Sequence, residues 1–172
     1  MSMERTRGED WVVTAIIELR KANSWTGRIH VQKLLFTVDV LKLGTPPFEF
    51  ELYLYGPYSQ EVDWAFTALE MTGSIERDYP LPGYGPKYAV LANKCSLPTP
   101  AVSAIARVAR SFGTKSSKDL ELIATCLWVE RREQVQGEEQ IIKRVKQIKP
   151  KYTQAEIANQ LKETRALAET LI

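Results

Sequence analysis

Residues 48–59, Phe-Glu-Phe-Glu-Leu-Tyr-Leu-Tyr-Gly-Pro-Tyr-Ser, constrain this chain more than any other stretch. They form the one segment with a clean period of two. Phe48, Phe50, Leu52 and Leu54 alternate with Glu49, Glu51, Tyr53 and Tyr55. That pattern predicts a half-buried strand with an apolar face and a wet face. It stops at Gly56-Pro57, because glycine loosens the backbone and proline brings no donor to a ladder. Ser59 is well placed to cap a following helix.

Around that strand the periodicity is helical. Trp11, Val12, Ala15, Ile16 and Leu19 give a buried stripe over residues 10–21. Ile29, Leu34, Leu35, Val38 and Leu41 give a second, opening at Thr26 or Gly27 and ending before Gly44. After the strand, a helix is expected over residues 59–71, with Val62, Ala65, Phe66 and Leu69 inward. Residues 74–77 and 87–91 then read as a β-hairpin whose tip, 80–86, is dense in Pro and Gly. Helix, helix, strand, helix, hairpin resembles winged-helix architecture, with residues 74–91 as the wing. The remainder is helical: 99–112, a helix behind Ser116 and Asp119, 138–149, and a last helix opened by the capping box Thr153-Gln-Ala-Glu156. The expected fold class is therefore α+β and mainly helical, a single domain with a winged-helix-like core (residues 10–91) and a C-terminal helical layer (residues 99–172).

Length and composition agree with one domain: 172 residues, 44% apolar, suffice for a core. No apolar run reaches the length of a membrane span, and residues 1–10 are charged, without a signal-peptide core. Cys95 and Cys126 lack metal-type spacing and read as buried thiols of a cytoplasmic protein. The net charge of +2 is lower than that of most domains that neutralise many phosphates. It neither indicates nor excludes a nucleic-acid partner.

Three motifs carry a family resemblance. They are Val31-Gln32-Lys33-Leu34-Leu35-Phe36, Tyr53-Leu54-Tyr55-Gly56-Pro57-Tyr58-Ser59, and Ile148-Lys149-Pro150-Lys151-Tyr152-Thr153. Together they resemble the YwgA-like family, which is similar to the SocA-like antitoxin (Panacea) domain proteins. The resemblance spans roughly residues 11–167. It implies a small, mostly helical cytoplasmic prokaryotic protein without established catalysis, similar to antitoxins that act by binding a toxin or handing it to a protease.

The residues themselves leave two readings open. The helix over 59–72 carries Glu61, Asp63 and Glu70 but no Lys or Arg, a formal charge of about −3. Phosphates repel such a helix, whereas a basic protein surface suits it. The expected partner surface is therefore Glu49, Glu51, Tyr53 and Tyr55 on the strand with Glu61, Asp63 and Trp64 on the helix. The alternative is a winged-helix DNA-binding regulator, working as a dimer. It would use Arg77 and Lys87 of the wing and the basic run Lys143, Arg144, Lys146, Lys149 and Lys151, with Arg5 and Arg7 as an added arm. That run also has a local explanation, since lysines suit a helix C-terminus. With His30 as the sole histidine, and no Gly-x-Ser-x-Gly or phosphate loop, neither an enzyme, a metal nor a cofactor is expected.

Overall fold

The spacing of Trp11, Val12, Ala15, Ile16 and Leu19 winds the first segment into α1, Gly8–Lys21. Glu9 and Asp10 in its first turn, and Arg20 and Lys21 in its last, oppose the helix dipole. In the computed structural model, which describes residues 7–92 and 96–172, α2 follows as Arg28–Val40. It is buried on every side from His30 to Val38. A helix apolar on one stripe only would not be; α2 is the central rod, enclosed by α1 and the elements introduced below. Arg5 and Cys95 lie outside the described residues.

The period-two segment departs from the expected strand. Only β1, Glu51–Tyr53, is extended and paired, and its partner is β2, Gly56–Tyr58. The register Glu51↔Tyr58, Leu52↔Pro57, Tyr53↔Gly56 leaves Leu54 and Tyr55 as a tight loop. Gly56-Pro57 thus begins the returning strand instead of ending the pairing. In a two-stranded ribbon both strands are edges, so a proline without a donor is tolerated. Phe48 is buried and Phe50 half-buried as expected, but Leu54 sits at the turn and is 70% exposed.

Helix α3, Gln60–Met71, buries Val62, Ala65, Phe66 and Leu69. Strands β3, Ile75–Asp78, and β4, Lys87–Val90, form the second hairpin, in register from Ile75↔Val90 to Asp78↔Lys87. The two hairpins are separate two-stranded sheets. The order helix, helix, hairpin, helix, hairpin follows the winged-helix-like expectation, with a ribbon where one strand was expected.

Four more helices follow: α4 (Thr99–Phe112), α5 (Ser117–Leu127), α6 (Glu138–Ile148) and α7 (Gln154–Leu171). Full capping boxes start two of them, Ser116 with Asp119 and Thr153 with Glu156. One turn of π-helix, Trp128–Arg132, extends α5. A single apolar cluster joins the first half to the second, with Phe36 and Phe66 packed in it beside Ile105, Phe112, Leu120 and Ile123. A smaller cluster, including Leu122, Cys126, Ile141, Val145 and Ile157, seals α6 and α7 onto α5. The chain is a mainly helical α+β fold. Among the described residues, no helix is long and apolar enough to cross a membrane.

Candidate protein-interaction site

The three motifs, distant in sequence, meet under the β1–β2 ribbon. Gln32 of α2 brackets Ser59: its Nε2 donates to the Ser59 carbonyl at 2.8 Å, and its Oε1 accepts from the Ser59 amide at 2.9 Å. This clamp, not the Ser59 hydroxyl, holds the start of α3; Ser59 makes no side-chain cap bond. Lys33 donates to the Pro57 carbonyl at 2.7 Å. Lys149, just past α6, donates to the Leu54 carbonyl. Glu121 of α5 supplies the counter-charge, with Oε1 2.7 Å from Lys149 Nζ, and Tyr152 donates to its Oε2 at 3.3 Å. Lys33 is 2% exposed, Lys149 5% and Glu121 5%.

Burial and backbone geometry make this seat exacting. Gly56 has φ +86°, and a Cβ there would lie 3.0 Å from Thr125 Oγ1 and 3.4 Å from the Glu121 carbonyl. A side chain is therefore excluded by both conformation and space. Lys149 pairs directly with the buried carboxylate, whereas desolvation pushes the Lys33 amine down to about 7 against the partial support of Glu121.

What the seat presents is an uncovered tip. Tyr53 and Tyr55 are each 57% exposed, and Leu54 between them projects freely. The Tyr53 ring packs on Tyr58 at 5.5 Å between centroids. Tyr58 in turn donates to Asp63 Oδ2 at 2.6 Å, and the Glu49 amide donates to Glu61 Oε2 at 2.7 Å. Glu49 with Glu61, and Tyr53 with Asp63 through Tyr58, are thereby brought together where the ribbon meets the first turn of α3; Glu51 lies on β1, and Tyr55 instead lines a cavity with Lys118, Lys151 and Tyr152. Trp64, 64% exposed, stands on the outer face of α3, with Met71 two turns on.

The acidity of α3 is largely met from within the chain. Arg28 reaches Asp63 at 3.3 Å and Glu70 at 2.9 Å, and Arg77 reaches Glu70 at 2.7 Å. Glu61 has its Oε2 engaged by the Glu49 amide, and Glu51 lies on β1 itself. The exposed side chains at the tip are therefore chiefly apolar and aromatic, while two of the three α3 carboxylates are paired with Arg28 and Arg77.

The residues of the alternative set are dispersed. Arg77 is paired as above, and Lys87 Nζ lies 5.4 Å over the Trp25 ring. Arg144 pairs with Glu133 at 2.6 Å, and Lys146 donates to the Pro150 and Tyr152 carbonyls at the end of α6. Lys151 lies 3.4 Å from Glu121 and 5.0 Å over the Tyr152 ring. Lys143 is exposed, whereas Lys149 is buried and leaves the run as a surface feature. The sequence reading missed Lys33 and Glu121 as members of a site. Their signal was a Gln-Lys pair inside an otherwise apolar helix and a carboxylate within the α5 stripe. A scan against protein-family models finds no match to this chain, and a search of the curated proteins finds no significant match.

Proposed function

We propose that the chain is a non-enzymatic protein-interaction module of antitoxin-like or regulatory type, acting in the cytoplasm, with the β1–β2 tip as its partner surface. The observation that carries this reading is the exposure of Tyr53, Leu54 and Tyr55 on a ribbon anchored from beneath by Lys33 and Lys149. Large apolar groups held rigid at a surface lose little conformational entropy on binding, and aromatic anchors of this kind dominate interface energetics. The resemblance to YwgA-like and SocA-like antitoxin proteins, through the same three motifs, points to the same class. A toxin or a regulatory client is the partner this predicts.

The test is an affinity capture from native lysate with the wild-type chain and with the double variant Leu54→Asp/Tyr55→Ala, each with and without nuclease. The expected outcome is one stoichiometric protein that survives nuclease and disappears with the variant. A partner retained by the variant would remove the tip from the interface. Nucleic acid in the eluate, with proteins lost on nuclease treatment, would instead favour a winged-helix DNA-binding regulator.

A further inference from the structure

A second region, away from the β1–β2 tip, has the makings of a small-molecule site. A cavity of about 760 Å³ opens between the β3–β4 hairpin, the start of α2 and the turn before α5. That volume is within the range of ligand pockets. Trp25, Tyr79, Tyr84 and Tyr88 line it. The Trp25 and Tyr84 ring centroids are 5.9 Å apart, with planes tilted by 44°. A Cβ on Gly27 would sit 2.8 Å from the Trp25 ring, so glycine leaves room for the indole, over which Lys87 Nζ lies at 5.4 Å.

The charged groups at the wall are all cations. Arg28, Arg77 and Lys115 line the cavity, and no carboxylate does. Both guanidiniums are fixed from behind by Asp63 and Glu70. Lys115 is the cation left for a ligand: among the described residues it forms no ion pair, and its Nζ donates to the Ser111 carbonyl at 3.3 Å. Thr114 and Ser117 also line the cavity, whereas the Ser116 hydroxyl is engaged by Asp119 in the α5 capping box.

His30 completes the wall and is 3% exposed. Its Nε2 lies 3.1 Å from the Lys115 carbonyl. A carbonyl only accepts, so Nε2 carries the hydrogen and Nδ1 is left as an acceptor. That Nδ1 is buried without a partner. Burial also holds the imidazole below its ordinary pKa, so the ring is neutral at pH 7.

We infer that this cavity binds a nucleoside monophosphate, its base stacked against Tyr84 beside Trp25 and its phosphate at Lys115. Each part of the wall calls for a different part of that ligand. The exposed Tyr84 ring calls for a planar π-system, and the Lys115 ammonium for an anion. A bare anion would leave the aromatic wall unused, and an uncharged ring would leave Lys115 unmet.

The test is titration calorimetry with AMP, adenosine and inorganic phosphate, alongside NMR of the indole N–H resonances. AMP is expected to bind and to shift the Trp25 resonance, with adenosine at least tenfold weaker and phosphate weaker still. Tyr84 is 65% exposed, so Tyr84→Ala should melt as the wild type does. It should weaken AMP roughly 5- to 150-fold, the loss of one base–ring stack. Lys115→Met should bring AMP down to the level of adenosine. Absence of AMP binding at millimolar concentration, or wild-type affinity in both variants, would overturn the inference.

Discussion

Lys33 and Lys149 place two ammonium groups in a pocket with one carboxylate, Glu121. Removing that carboxylate leaves the buried Lys149 ammonium without its counter-charge, so Glu121→Gln is expected to lower stability by about 3–5 kcal/mol. Lys33→Met acts differently. It abandons the Pro57 carbonyl, but it also removes the excess charge and leaves Lys149 matched to Glu121. Its loss should be less than half as large in urea unfolding; equal losses would show that the two lysines do not share the carboxylate. The sequence did place Lys33 and Lys149 in the motifs that resemble one family, but as helix and surface residues. Lysine is so rarely buried that period-based reading assigns it to solvent. Its counter-charge came from a distant helix whose stripe reads as apolar. What could not be seen locally was the meeting of three segments.

At the scale of the element, the β1–β2 ribbon depends on Gly56. Alanine there meets both a left-handed φ of +86° and the Thr125 hydroxyl at 3.0 Å. Gly56→Ala is expected to cost about 1–3 kcal/mol and to displace the tip, measured as a lowered Tm together with lost partner capture. The exposed double variant Leu54→Asp/Tyr55→Ala should lose capture while melting within about 0.5 kcal/mol of the wild type. That contrast separates an anchoring residue from a contacting one. The alternation of residues 48–55 predicted the inward turn of Phe48 and Phe50 correctly, because their period continues into the core. It failed at Leu54, since a period of two cannot tell the last residue of a strand from the first of a turn. Likewise α3 read as a helix with three free carboxylates. Its actual charge state depends on Arg28 and Arg77, which arrive from α2 and β3 through tertiary packing.

Across the whole molecule, one core joins the helix-and-hairpin half to the helical layer, with α4 packed on α1 and α5 on α2. The same union buries titratable groups, and it sets how stability should vary with pH. Lys33 and His30 are both held below their ordinary values, by burial before any other cause. For such groups the unfolded chain binds more protons than the folded one, so stability rises with pH. His30 contributes below about 6.5, where the unfolded imidazole charges. Lys33 contributes between about 7, its folded value, and the ordinary lysine value near 10.5. Tyr58 and Cys126 oppose this at higher pH. Burial leads in pushing each up to about 12, so the unfolded chain ionises first and stability falls once their ordinary values of 10.0 and 9.0 are approached. The resulting curve should climb from pH 6 and peak near pH 9. The rise between pH 7 and pH 9 should be about 2 kcal/mol and come chiefly from Lys33. Urea denaturation across pH 6–10 checks this, and Lys33→Met should flatten the climb above pH 7 while leaving the fall above pH 9 in place. A variant that kept the full climb would place the titrating group elsewhere. The neutral amine can still donate to the Pro57 carbonyl, so the tip should keep its shape through the transition. Partner capture by the wild type is therefore expected to vary far less between pH 7 and pH 9 than its stability does.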